Sequence, residues 1–188
     1  LSDEIYGDLT YDFEHVSFPS LPGAKDNVVY FNGFSKSYAM TGWRVGYACG
    51  PKEIIAGMTK IHQYTIMCVS ITSQMAACEA LHVGKDSVEK MKREYARRRE
   101  FVIDGLNSIG LSCHNPQGAF YAFPSIKKTG LNSLDFAQKL LKEEKVAVVP
   151  GTAFGGEFKD YIRISYASSF DNLKEALRRM SVFLKKQL

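Results

Sequence analysis

No stretch of the sequence approaches the roughly 18 consecutive apolar residues that a membrane helix requires, and residues 1–10 hold neither a basic segment nor the hydrophobic run of a secretory signal. Neither a span nor a signal is predicted, and the expected setting is the cytoplasm. Cysteine is scarce. Cys49, Cys68, Cys78 and Cys113 are far apart, and with His15, His62, His82 and His114 they form no CxxC pair, no HExxH and no set of zinc-ligand spacing. No metal site is predicted, and free thiols in a reducing compartment are expected rather than a disulfide framework. Charge of one sign is also lacking: 24 Lys and Arg against 20 Asp and Glu leave +4, without the clustered basic stripe of a nucleic-acid footprint. Low-complexity tracts and internal repeats are absent. What remains is a globular composition, 45% hydrophobic, 12% aromatic and 23% charged over 188 residues, enough for one domain or two small ones. The sequence opens Leu1-Ser2-Asp3-Glu4, as though inside a domain, so a piece of a longer polypeptide is expected.

Two short β-branched and aromatic runs, residues 26–32 and 43–49, read as strands bounded by Gly, Asn and Pro. The segment Gly33–Gly42 between them is too polar and too rich in small residues for a buried strand, so it reads as a loop. Pro51 opens a helical pattern in Ile54, Ile55, Met58 and Ile61, and a second helix is predicted over 73–82. From Ser87, the residues Val88, Met91, Tyr95, Val102 and Leu106 form one stripe of a long amphipathic helix. Its run Arg97-Arg98-Arg99, with Glu94 four residues ahead of Arg98, reads as a solvated face. Strands are predicted at 111–114, 118–124, 146–149 and 161–167, with a helix at 133–144. A last helix carries Leu173, Ala176, Leu177, Met180, Phe183 and Leu184 on its apolar face. A boundary near residue 85 is expected, with a small mixed α/β unit after it.

The informative stretch is Gly33-Phe34-Ser35-Lys36-Ser37-Tyr38-Ala39-Met40-Thr41-Gly42-Trp43-Arg44-Val45-Gly46, in which a lysine flanked by small hydroxyl residues is followed eight positions later by an arginine. On spacing alone, an ordinary surface loop fits as well as a site. The stretch resembles the pyridoxal-phosphate attachment signature of class I and II aminotransferases, matching at the glycine, hydrophobic, small, lysine, glycine, arginine and closing glycine positions. Upstream, Ser2-Asp3-Glu4-Ile5-Tyr6 is similar to the family's strand end, with Asp3 33 positions ahead of Lys36. Downstream, Tyr161-Ile162-Arg163-Ile164-Ser165 resembles the small-domain strand with its substrate-binding arginine. Gly118–Phe123 resembles a segment that brings an aromatic, here Tyr121, toward the substrate.

The resemblance implies an α/β fold: the C-terminal part of the large cofactor-binding domain over 1–85, then a linking helix and a small α/β domain over 86–188. It also implies pyridoxal 5'-phosphate as cofactor, with Lys36 as its attachment and proton-transfer residue. Asp3 would face the pyridine nitrogen, Tyr6 the ring oxygen, and Ser35 and Arg44 the phosphate, while Arg163 and Tyr121 would meet the substrate. Each assignment is chemically apt. A lysine amine condenses with an aldehyde, a carboxylate keeps a ring nitrogen protonated, and a planar guanidinium forks onto phosphate or carboxylate. Ser37 offers a further hydroxyl, whereas Gly33 stands where one family branch carries serine. The implied reaction is amino transfer between an amino acid and a 2-oxo acid, of aspartate or aromatic type, by a homodimer of the intact enzyme. The half chain alone is expected to be inactive. The same residues would serve β-elimination by a C–S lyase, and a related domain serves as the ligand sensor of a transcriptional regulator. Residues 63–74 contain no arginine of the kind the dicarboxylate branch uses there. Without the upstream half, the strands at 26–32 and 43–49 are expected to have unpaired edges.

Overall fold

The computed structural model describes residues 1–187 and divides into two compact units, Leu1–Lys92 and the residues from Arg93 on. In the first unit a short strand β1 (Ser2–Asp3) pairs in parallel with β2 (Tyr30–Gly33), and β3 (Gly46–Cys49) returns antiparallel to β2. The register sets Asp3 opposite Phe31 and Gly33 opposite Gly46. β2 is thus paired along both sides, which corrects the expectation of two lone strands: they are each other's partners, and the open edges belong to β1 and β3. Both strands are also shorter than predicted. Lys25–Asn27 and Thr41–Trp43 close into single 3-10 turns, and Arg44 adopts a left-handed conformation (φ 52°), so neither ladder can start earlier.

Helix α1 (Lys52–Thr65) follows Pro51, whose carbonyl accepts from the Ile54 and Ile55 N–H groups. After α2 (Ile71–Val83), the long α3 (Lys85–Ser108) begins in the first unit and ends in the second. Among the described residues, no helix is long and apolar enough to cross a membrane.

The second unit builds an antiparallel sheet in the order β4 (Tyr121–Ala122), β6 (Ile162–Ser165), β5 (Val149–Pro150). Two helices accompany it, α4 (Ser133–Glu144) and α5 (Phe170–Gln187). The Asn132 side chain caps α4 by accepting from the Leu134 and Asp135 N–H groups at 3.1 and 3.0 Å. Leu173, Met180, Phe183 and Leu184 of α5 are buried with Phe136 and Leu140 of α4, Ile162 of β6, and Val102 and Leu106 of α3.

Residues 111–114 form no strand. The end of α3 takes their donors instead: Leu111 N bonds the Leu106 carbonyl and Cys113 N the Asn107 Oδ1, each at 3.0 Å. The predicted solvated arginine face also fails at one member. Arg97 and Arg98 pair with Glu94, but Arg99 is 2% exposed and donates to the Pro116 carbonyl at 3.0 Å. The four cysteines are unbridged, and no metal-suited cluster of His, Cys, Asp and Glu occurs among the described residues.

Candidate active site

Because β1 and β2 run in parallel and β3 returns, three predicted residues fall at one end of the first sheet. Asp3 closes β1, Lys36 lies three residues past β2, and Arg44 stands two residues ahead of β3. Ligands in open α/β sheets collect beyond the carboxyl ends of parallel strands, which is this end. Tyr6, half-buried, follows on the turn that the Gly7 and Leu9 N–H groups close onto the Glu4 and Tyr6 carbonyls at 2.8 and 2.9 Å.

The turn carrying Lys36 is held by its own backbone: Tyr38 N and Met40 N share the Phe34 carbonyl at 3.3 and 3.2 Å, and Ala39 N bonds that of Lys36 at 3.2 Å. At its base, a Cβ on Gly33 would lie 3.1 Å from the Gly46 Cα, so the paired glycines let the strands close there. Phe34, Met40 and Ala77 make a small buried cluster against Tyr38, Val45, Ala76 and Ala80, which seats the turn on α2. Small residues Ser73, Ala77 and Ala80 recur at helical steps along α2, with Gly84 one step on at its C-cap, a signal that a stripe of large apolar residues does not carry.

Among the described residues, the half-buried Lys36 makes no side-chain hydrogen bond or ion pair. Asp3 is exposed and accepts from Ile5 N at 3.1 Å. The exposed Arg44 donates one Nη1 bond to the Thr41 carbonyl at 2.8 Å, leaving the rest of its fork open. Ser35 is half-buried, while the buried Ser37 Oγ has no partner among the described residues. An amine, a carboxylate, a guanidinium and an unsatisfied hydroxyl at one sheet end suit a ligand that combines a phosphate with a basic ring nitrogen.

Behind Asp3, burial pushes the Glu4 carboxyl up, but hydrogen bonds from His15, the Phe18 N–H, Ser17 and Ser2 outweigh it and hold the group below its ordinary value. Burial raises both nearby phenols. Tyr47 reaches about 12 with the help of Tyr30, and Tyr38 is raised further by the charge of Asp8, so neither ionises near neutrality. The cleft of about 560 Å³ lined by Val28, Tyr30, Cys49 and Pro51 lies at the opposite end of β2 and β3 from Lys36 and holds none of the predicted residues.

In the second unit, Arg163 sits on the central strand β6, opposite Val149 of β5. Tyr121 of β4 pairs with Ser165, two residues along and on the same face as Arg163, which brings its ring under the guanidinium. The Arg163 Cζ lies 4.5 Å from the Tyr121 ring centre and 4.7 Å from that of Phe154, in the turn after β5. From the sequence, Val149–Gly155 resembles a family turn and reads as structural with a substrate-facing edge, but Phe154 within it is not singled out. Its nine-residue separation from Arg163 becomes a contact only through the β5–β6 register.

The aminotransferase class I and II sequence profile matches residues 1–180. YugH of Bacillus subtilis, an aminotransferase by name, is 55% identical over 186 residues, covering 99% of this chain and 48% of its own length. The aspartate aminotransferase of Pyrococcus abyssi is 45% identical, covering 100% and 49% respectively. Among solved structures, the aromatic aminotransferase of Pyrococcus horikoshii OT3 superposes with a TM-score of 0.96 at 46% identity, over 99% of this chain and 51% of that one. The chain spans about half the length of the curated relatives it matches.

Proposed function

The chain belongs to the aminotransferase class I and II family, and from that premise we propose that it is the C-terminal half of an enzyme that moves an amino group between an amino acid and a 2-oxo acid. The gathering of Asp3, Lys36 and Arg44 at one sheet end carries this reading. Pyridoxal phosphate, the family's cofactor, supplies when bound an aldehyde that takes up an amine and a ring that draws electrons from the substrate Cα.

Lys36 would hold the cofactor through its amine, and the same amine would carry the Cα proton of the substrate. The Asp3 carboxylate would keep a proton on the ring nitrogen, the Tyr6 phenol would donate to the ring oxygen, and Arg44 with Ser35 would bind the phosphate. Arg163 receives the substrate α-carboxylate beside Tyr121. Relatives named as aspartate and aromatic-amino-acid aminotransferases support an aspartate- or aromatic-type donor, and the arginine-free segment 63–74 keeps an alanine-type donor open beside them. The intact enzyme is a cytoplasmic homodimer, and the 188-residue chain alone does not turn over, because catalysis requires groups placed to fractions of an ångström around a complete pocket.

Borohydride reduction of a family-length polypeptide carrying this sequence, loaded with pyridoxal phosphate, tests the assignment by peptide mapping. A pyridoxyl adduct is expected on Lys36 and is abolished by Lys36→Ala. Labelling elsewhere that persists in the variant rejects it.

A further inference from the structure

The face of Arg163 is occupied by rings, yet its edge is not. Among the described residues, the guanidinium touches Tyr121 and Phe154 and has no hydrogen-bonded or ion-paired partner. A stacked guanidinium is attracted through its flat face, so the five N–H donors in its plane remain available to an anion. A long side chain that is already immobilised also loses less freedom when the anion arrives.

The Phe154 ring is itself fixed. It packs edge-on to Phe123 with centroids 5.9 Å apart, and Phe123 stacks on Tyr161 at 5.4 Å with an interplanar angle of 4° and meets Phe158 edge-on at 5.6 Å. The turn that presents it, Gly151–Phe154, is tied by the Gly151 N–H to the Tyr161 carbonyl at 2.9 Å and by the Thr152 N–H to the buried Ser133 Oγ at 3.3 Å. A Cβ at position 151 would overlap the Phe158 and Tyr161 carbonyl oxygens, so the turn comes this close only because residue 151 is glycine.

We propose that Phe154, together with Tyr121, is a positioning residue that holds the Arg163 guanidinium flat with its donor edge free for a substrate carboxylate. The inference rests on the reading that Arg163 receives that carboxylate, and it adds Phe154 as a determinant of how well it does so.

The test uses Phe154→Leu, which keeps bulk and removes the ring, and Phe154→Tyr, which restores a ring. In the family-length enzyme, Phe154→Leu raises KM for the amino acid about 3- to 30-fold, the range of a partly desolvated cation–π contact, with kcat at saturation unchanged. Phe154→Tyr returns KM to within about twofold, and KM for an amine lacking the carboxylate does not move. In the 188-residue chain itself, the Arg163 side-chain proton resonances, shifted upfield by the rings, move back toward solvent values in Phe154→Leu and not in Phe154→Tyr.

An unchanged KM together with unchanged Arg163 resonances overturns the proposal. Arg163→Lys separates it from the reading beneath: a raised KM in Arg163→Lys with none in Phe154→Leu rejects only the positioning role. No change in Arg163→Lys rejects the carboxylate assignment itself. Should Phe154→Leu lose the dispersed spectrum of a folded unit, Tyr121→Leu removes the other ring and is judged by the same measurements.

Discussion

Among the described residues, fourteen buried apolar side chains form one continuous cluster in the unit from Arg93 on, while the corresponding cluster of the Leu1–Lys92 unit has three members, although the two units are nearly equal in length. The difference lies in the helices. α4 and α5 each bury four residues, whereas α1 buries none and α2 only Ser73 and Ala77. The apolar stripe of α1 is nonetheless clear, and its Ile54 and Ile61 are 49% and 67% exposed. Nothing in the first unit buries that stripe, so it contributes no core to the unit. The second unit closes its own core. The first is organised around a sheet end, a tied turn and buried polar contacts.

Core truncation draws the contrast most sharply. Phe136, fully buried and edge-on to Phe183 at 5.2 Å, is expected to cost about 3–5 kcal/mol when changed to alanine, read from the denaturant midpoint of the second unit. Ile61→Ala in α1 should stay within about 0.5 kcal/mol. Equal losses at the two positions would erase the distinction between the units.

A smaller effect belongs to the first unit's polar clasp. The buried Glu4 carboxylate lies 2.7 Å from the His15 Nε2 and accepts from the Phe18 N–H and the Ser2 Oγ at 2.9 Å each. Glu4→Gln should cost about 1–3 kcal/mol, since it leaves charge-assisted partners unmatched. With the native carboxyl held below the ordinary value of about 4.3, its stabilisation is complete above that value and is lost as pH falls through the lower native one. Denaturant unfolding measured at a series of acid pH values should show this loss, and Glu4→Gln should remove it.

The smallest of these effects is the α4 cap. Asn132→Ala should cost about 1 kcal/mol in the second unit, measured by thermal unfolding. α1 and α2 have no side-chain cap to lose, since neither Pro51 nor Ser70 makes one.

What could be read from residues alone follows the range of the interactions. α4 was legible to its ends because its cap and periodicity are local, and the turn holding Lys36 was legible as a loop bounded by glycines. Residues 111–114 have the composition of a strand, but their donors bond α3, a choice made by the chain's path rather than by propensity. Arg99 reads like its two neighbours, and only the Pro116 carbonyl, 17 residues on, distinguishes it. In the candidate site, Asp3, Lys36 and Arg44 were singled out through the family resemblance and not through spacing, whereas the contact of Phe154 with Arg163 required the strand register.

Gly151 bears on how this part of the molecule can drift. Alanine, the mildest replacement at most positions, is excluded there because its methyl group would overlap two carbonyl oxygens. Phe154, three residues on and 43% exposed, has room to change. Variation in this turn is therefore channelled: lineages could exchange the ring beside Arg163 and so alter how tightly a carboxylate is gripped, while the backbone that delivers that ring stays fixed. A library that randomises position 154 while holding position 151 constant would explore specificity without sacrificing the fold.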